Sequence, residues 1–139
     1  MTISDAQRLT VKERAGTCCE YCRVSQLGRL SKFHVDHVIA LKHGGTDDLE
    51  NLCLACYKCN GHKGSNVAAI DPESGDATKL FHPRQQLWQD HFQINEDATI
   101  TGLTPEGRAT VFVLRINDEE RVKPRFLAMM VGDYPCQPG

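Results

Sequence analysis

Apolar and polar positions alternate in short runs along this chain and nowhere form a long stripe. Residues 5–17, DAQRLTVKERAGT, set Leu9 and Val11 among polar neighbours and predict a short helix with Asp5 as N-cap and a stop at Gly16. The run KFHVDHVIAL is β-branched and apolar, is closed by the turn KHGGTDD, and precedes a second apolar run, NLCLAC; together they predict a β-hairpin with a long loop. YKCNGHKGSNVAA then reads as a short helix weakened by Gly61 and Gly64. IDPESGDATK reads as a turn-rich connector, LFHPRQQLWQDHFQI follows it, and ATITGL reads as a strand. Thr104, Pro105 and Glu106 form a helix start for TPEGRATVFVLRI. NDEERVKPRFLAMM is weakly helical, with Pro124 expected to break or kink it. This order of elements predicts an α+β fold.

The 139 residues, 40% hydrophobic and 24% charged, suit one soluble domain spanning 1–139. No apolar run is long enough to span a membrane, and the opening MTISDAQRLTVKERAG lacks a secretory pattern, so no membrane partner and a cytoplasmic location are expected. A net charge of −2 and a pI of about 6.3 give no global attraction to nucleic acid, although a few cations lining a groove can still meet phosphates.

Seven cysteines change the picture. In a reducing compartment structural disulfides are not expected, and paired spacing points to metal. Cys19-x-x-Cys22 and Cys56-x-x-Cys59 each place two thiolates on a tight turn, and four such sulfurs satisfy tetrahedral Zn²⁺. Cys18 and the alternative pair Cys53-x-x-Cys56 compete, but Cys53 sits inside the apolar run NLCLAC, where a thiol behaves as a small hydrophobe. Cys136 reads as a bystander. A four-thiolate ion has no open position, so it is structural, clamping the helix start at Cys56 to the chain before the first strand. Any reaction belongs elsewhere, where the carboxylate of Asp36 and the amide oxygen of Asn60 suit a hard divalent cation.

The string VDHVIAL…GGTDDLENL…C..CN..K resembles the HNH nucleases, the ββα-metal group, in their four-cysteine zinc-bearing form. Asn51 lies fourteen residues after His37 and Asn60 nine after Asn51, as that family's pattern expects. The resemblance implies a zinc-stabilised ββα-metal nuclease core at 11–66 with a family-type C-terminal α/β extension at 67–139, and DNA cleavage or nicking with Mg²⁺ or Mn²⁺. It implies that His37 is the general base, that Asp36 and Asn60 bind the divalent cation, and that Asn51 orients the hairpin loop and the histidine. The third motif position is Asn60, which makes this an H-N-N variant that keeps an oxygen donor. The partner implied is nucleic acid, with double-stranded DNA as the expectation. The tail, with LFHPRQQLWQDHF and GLTPEGRATV, also resembles that of a group of short bacterial proteins of this kind.

Two other readings compete. One is a zinc-built nucleic-acid-binding or adaptor module without cleavage; the other is a zinc hydrolase in which His37 or His34 replaces a cysteine ligand. Among further cations, Lys63 is three residues past Asn60 and aligned to meet a phosphate, with a solvated lysine the plain alternative. Arg84 is the other candidate nucleic-acid contact, on a helix face with Trp88 and His91, where Trp88 reads as core. Arg108, Arg115, Arg121 and Arg125 read as charged surface, and His34, His43 and His62 as exposed or half-exposed side chains.

Overall fold

A computed structural model describes residues 3–138. Helix α1 (Asp5–Ala15) leads through a turn bearing Cys19 and Cys22 to strand β1 (His34–His37). After two 3₁₀ turns, strand β2 (Leu52–Ala55) pairs antiparallel with β1, with His37 opposite Leu52 and Asp36 opposite Cys53. Helix α2 (Tyr57–Lys63) completes a ββα unit. The rest is two small hairpins, β3 (Ala68–Ile70) with β4 (Ala77–Lys79) and β5 (Phe92–Ile94) with β6 (Ile100–Gly102). Between them lies the single turn α3 (Trp88–His91), and helices α4 (Pro105–Val113) and α5 (Glu119–Met130) end the fold. The mixture of helices and small antiparallel sheets is α+β, as expected.

Local chemistry explains the boundaries and corrects several of them. Ser4, not Asp5, caps α1: its hydroxyl accepts from the Gln7 N–H while the Gln7 side chain accepts from the Ser4 N–H, a reciprocal capping box. Gly16 ends the helix at φ 60°. The helix after Cys56 stops at Lys63, so the residues beyond it that were expected to be helical instead enter β3. The expected connector 70–79 carries the β3–β4 turn, where Asp71 holds the backbone N–H of Glu73 and the hydroxyl of Ser74. Helix α4 begins where predicted, with the Thr104 hydroxyl accepting from the Gly107 N–H. Helix α5 runs through Pro124 without breaking; the carbonyl left without its helical donor belongs to Glu120, an exposed residue in the first turn.

The hydrophobic core is continuous across both halves. Val11, Tyr21, Leu52 and Leu54 from the first half pack in one cluster with Phe81, Phe92, Ile100, Leu114 and Ile116 from the second. Trp88 is partly buried against this cluster, stacks near Phe92 at 5.0 Å and donates its indole N–H to the Tyr21 carbonyl. Among the described residues, no helix is long and apolar enough to cross a membrane.

Candidate active site and metal centre

Four buried cysteines, Cys19, Cys22, Cys56 and Cys59, bring their sulfurs within 4.8 Å of one another. The Cys22 and Cys56 sulfurs are 3.7 Å apart. Zn–S bonds of about 2.3 Å in a tetrahedron separate the sulfurs by about 3.8 Å, so the cage fits zinc. Cys56 is also the N-cap of α2, accepting from the Cys59 N–H, so the same residue starts the helix and offers a ligand. Cys53 stays outside the cage, buried beside the Tyr21 hydroxyl, and burial pushes its thiol up to about 12.

A side chain that sequence reasoning assigned to the surface completes this centre. Arg121, only 8% exposed, directs Nη2 at the Cys59 sulfur (3.0 Å) and more distantly at Cys56 (3.8 Å), while Nη1 donates to the Leu114 carbonyl. A buried guanidinium costs several kcal/mol unless it meets opposite charge. Here it meets thiolates, which is the charge state that a bound metal imposes. Arg125 is likewise buried, capping the carbonyls of Ala98 and Ile116. Arg108 forms a two-pronged pair with buried Asp71. Of the four tail arginines, only Arg115 lies on the exposed surface.

Cys136 is not a bystander: it is joined to Cys18, the residue beside the first ligand. The tail around it is fastened twice more, by the Cys136 N–H to the Arg23 carbonyl and by the Tyr134 hydroxyl to the Cys22 carbonyl (2.7 Å). The expectation of no disulfide does not hold for this pair. The turn at residues 16–25 brings Cys18 to the tail while Cys19 and Cys22 face the metal cage.

The residues expected from the sequence to form the reactive site sit on the hairpin and α2. Asp36, its side chain 15% exposed, turns toward α2, where the Lys63 ammonium lies 3.0 Å from Oδ2. That nitrogen is off the angle of a hydrogen bond, so buried Oδ2 keeps no donor of proper geometry. Burial pushes the Asp36 carboxyl above its ordinary range, opposed by the charge of Lys63. Lys63 also donates to the His37 carbonyl (3.0 Å) and is 1% exposed. The expected phosphate contact is therefore not open to it here, because its charge is spent inside on Asp36.

Asn60 lies three residues before Lys63, on neighbouring positions of one helix face. Its side chain is partly exposed and makes no hydrogen bond among the described residues. A carboxylate on the strand and an unengaged amide on the helix are the kinds of oxygen donor that a hard divalent cation takes, alongside several waters. Arg84 lies in the turn before α3 and pairs with buried Glu20, so its charge too is directed inward.

The loop between the strands is built around Asn51. Its amide donates to the carbonyls of Ile39 (2.9 Å) and Thr46 (2.8 Å), and its oxygen accepts from the Ile39 N–H. Gly45 must lack a side chain, since a Cβ there would lie 1.8 Å from the Ile39 carbonyl oxygen. Gly44 supplies φ 93°, which explains the Gly-Gly pair. Helix α1 pins the far side: Gln7 donates to the Asp47 carbonyl and Arg14 to those of Leu49 and Leu52. The outcome is that Asp47 Oδ1 sits 2.7 Å from His37 Nε2, a pairing absent from the sequence reading. Asp36 thus turns to α2 and His37 to the loop.

Beside the hairpin lies a cleft of about 750 Å³ whose lining includes Val38, His43, Lys63, Phe81 and His82.

Residues 19–66 match the family model described as HNH endonuclease. The chain therefore carries an HNH domain over that segment, of the type whose four cysteines are placed for zinc. That match supports a nuclease-family role, and nucleic acid is the substrate class such a role implies. No curated protein and no solved structure matches the chain.

Proposed function

We propose that the protein is a metal-dependent endonuclease that nicks or cuts double-stranded DNA, with His37 as general base and with Asp36 and Asn60 holding Mg²⁺ or Mn²⁺. The single observation that carries this reading is the presence on one hairpin-helix unit of an imidazole, a part-buried carboxylate, and an amide that makes no hydrogen bond among the described residues. When bound, the divalent cation supplies positive charge where negative charge builds on the phosphate oxygens.

The protein's own residues do the rest. His37 takes the proton of a water as that water's oxygen bonds to phosphorus and the bond to the leaving sugar oxygen breaks; the leaving oxygen takes a proton from solvent. Asn51 keeps the loop closed through three hydrogen bonds, each worth about 0.5–1.5 kcal/mol. Lys63 holds charge against Asp36 and ties α2 to the strand that bears the base. Four cysteines fix the start of α2, and with it the position of Asn60.

Supercoiled plasmid incubated with Mg²⁺ or Mn²⁺ tests the reading. Wild type is expected to relax or linearise it, and His37→Ala to be slower by about 10²- to 10⁴-fold at unchanged zinc content. Asp36→Ala is expected to require far more divalent ion. Equal behaviour of wild type and both variants would replace the nuclease with a non-cleaving nucleic-acid-binding module.

A further inference from the structure

We infer that Asp47 is the positioning residue of His37: it holds the imidazole by Nε2 and leaves Nδ1 as the nitrogen that receives the proton. This rests on the nuclease reading above and deepens it. The observation behind it is the 2.7 Å contact between His37 Nε2 and Asp47 Oδ1, with both side chains partly buried at 24% and 17% exposure.

A carboxylate only accepts, so the ring nitrogen facing it carries the hydrogen and the other nitrogen carries the lone pair. Nδ1 has no hydrogen-bond partner among the described residues, and it is the nitrogen assigned here to the water. When Nδ1 takes the water's proton the ring becomes an imidazolium, and its Nε2–H is already aimed at a negative charge. Ring and carboxylate therefore need no rearrangement as the proton moves, which is the benefit of a group oriented in advance.

The backbone that carries this carboxylate is held in place independently of the histidine. The Asp47 carbonyl accepts from Gln7 of α1 (2.8 Å), and the Thr46 carbonyl one residue earlier accepts from Asn51 (2.8 Å). Gly45 lets this stretch close onto the Ile39 carbonyl. A residue pinned on both sides is not a surface aspartate that happens to drift near a histidine. Its neighbour Asp48 is exposed and precedes a 3₁₀ turn without capping it by its side chain, so of the two adjacent aspartates only Asp47 meets the ring.

Asp47→Ala and Asp47→Asn test the assignment in the zinc-loaded full chain, each checked for unchanged melting temperature. Nitrogen-15 labelling of histidine, with proton spectra in water, gives a readout that does not depend on cleavage. Wild type is expected to show a downfield His37 Nε2–H resonance protected from solvent exchange, which Asp47→Ala abolishes and Asp47→Asn retains, because the amide oxygen still accepts. In plasmid cleavage, Asp47→Ala is expected to lower kcat about 10- to 100-fold with KM unchanged, and Asp47→Asn to recover most of that loss. Persistence of the protected resonance in Asp47→Ala, or its cleavage at the wild-type rate, overturns the inference, as does Asp47→Asn being as slow as Asp47→Ala. A wild type that cleaves nothing yet shows the Asp47-dependent resonance supports the pairing and sinks the nuclease reading alone.

Discussion

The two halves of the molecule solve the same problem of small size with different chemistry. The first half, through α2, has a four-residue strand pair and a seven-residue helix, and it gathers four cysteines about one point. Among its described residues the second half has no such cage; it ties its short elements with guanidinium groups, Arg125 on the Ala98 and Ile116 carbonyls and Arg108 on Asp71. Arg121 belongs to the second half by sequence and to the first by contact, since its charge rests on Cys59. Elements this short cannot stand alone, and each half supplies what backbone hydrogen bonding leaves short.

The sharpest way to break the contrast is to remove the metal. Structural zinc binding is worth about 10–16 kcal/mol in small zinc-built domains, comparable to the whole stability of a domain. A strong chelator is expected to abolish amide exchange protection at β1, β2 and α2 first, with β5, β6 and α4 outlasting them; hydrogen exchange read segment by segment checks this. Simultaneous loss everywhere would mean that the two halves form one cooperative unit.

A smaller effect is expected from cutting the covalent tie. Cys136→Ser opens a link spanning 118 residues, and loss of such a bridge costs about 2–4 kcal/mol. Urea unfolding of oxidised wild type against the variant measures it, and identical midpoints would show that the tail contributes nothing through this bond. Arg121→Met comes next. It removes a hydrogen bond to a charged sulfur, worth about 1.5–3 kcal/mol, and should speed zinc transfer to a coloured chelator while leaving the β3–β4 hairpin intact. An unchanged release rate would separate the arginine from the metal.

The smallest expected effect is a pH dependence confined to the second half. Hydrogen bonds from Arg108 hold the Asp71 carboxyl well below the ordinary carboxylate range. A depressed folded value stabilises the protein above the unfolded pKa of about 3.9, and that stabilisation is lost as pH falls toward the folded value. Asp71→Asn should therefore flatten the acid limb of the melting-temperature profile below about pH 4 while lowering the plateau. A parallel shift at every pH would assign the effect to packing.

The cysteine cage was legible because Cys-x-x-Cys is a local pattern: the two residues of each pair share one turn, so spacing alone brings their sulfurs together. The start of α4 was legible for the same reason, with cap and proline adjacent in sequence. Asp47 was not, because Asp47 and Asp48 are the same residue type in one turn, and only closure of the loop by Asn51 and Gly45 decides which of them faces His37. Arg121 and Arg125 follow Asp118, Glu119 and Glu120, a context that reads as solvated charge. Burial of an arginine depends on carbonyls and sulfurs far away in sequence, which no local pattern carries. Lys63 failed in the opposite sense: helical spacing put it beside Asn60, but its partner is on the strand.

The link between Cys18 and Cys136 turns most of the polypeptide into a closed circuit. A protease that severs one peptide bond anywhere inside that circuit, for instance in the exposed turn at Gly75, yields two pieces that still migrate together until a reductant parts them.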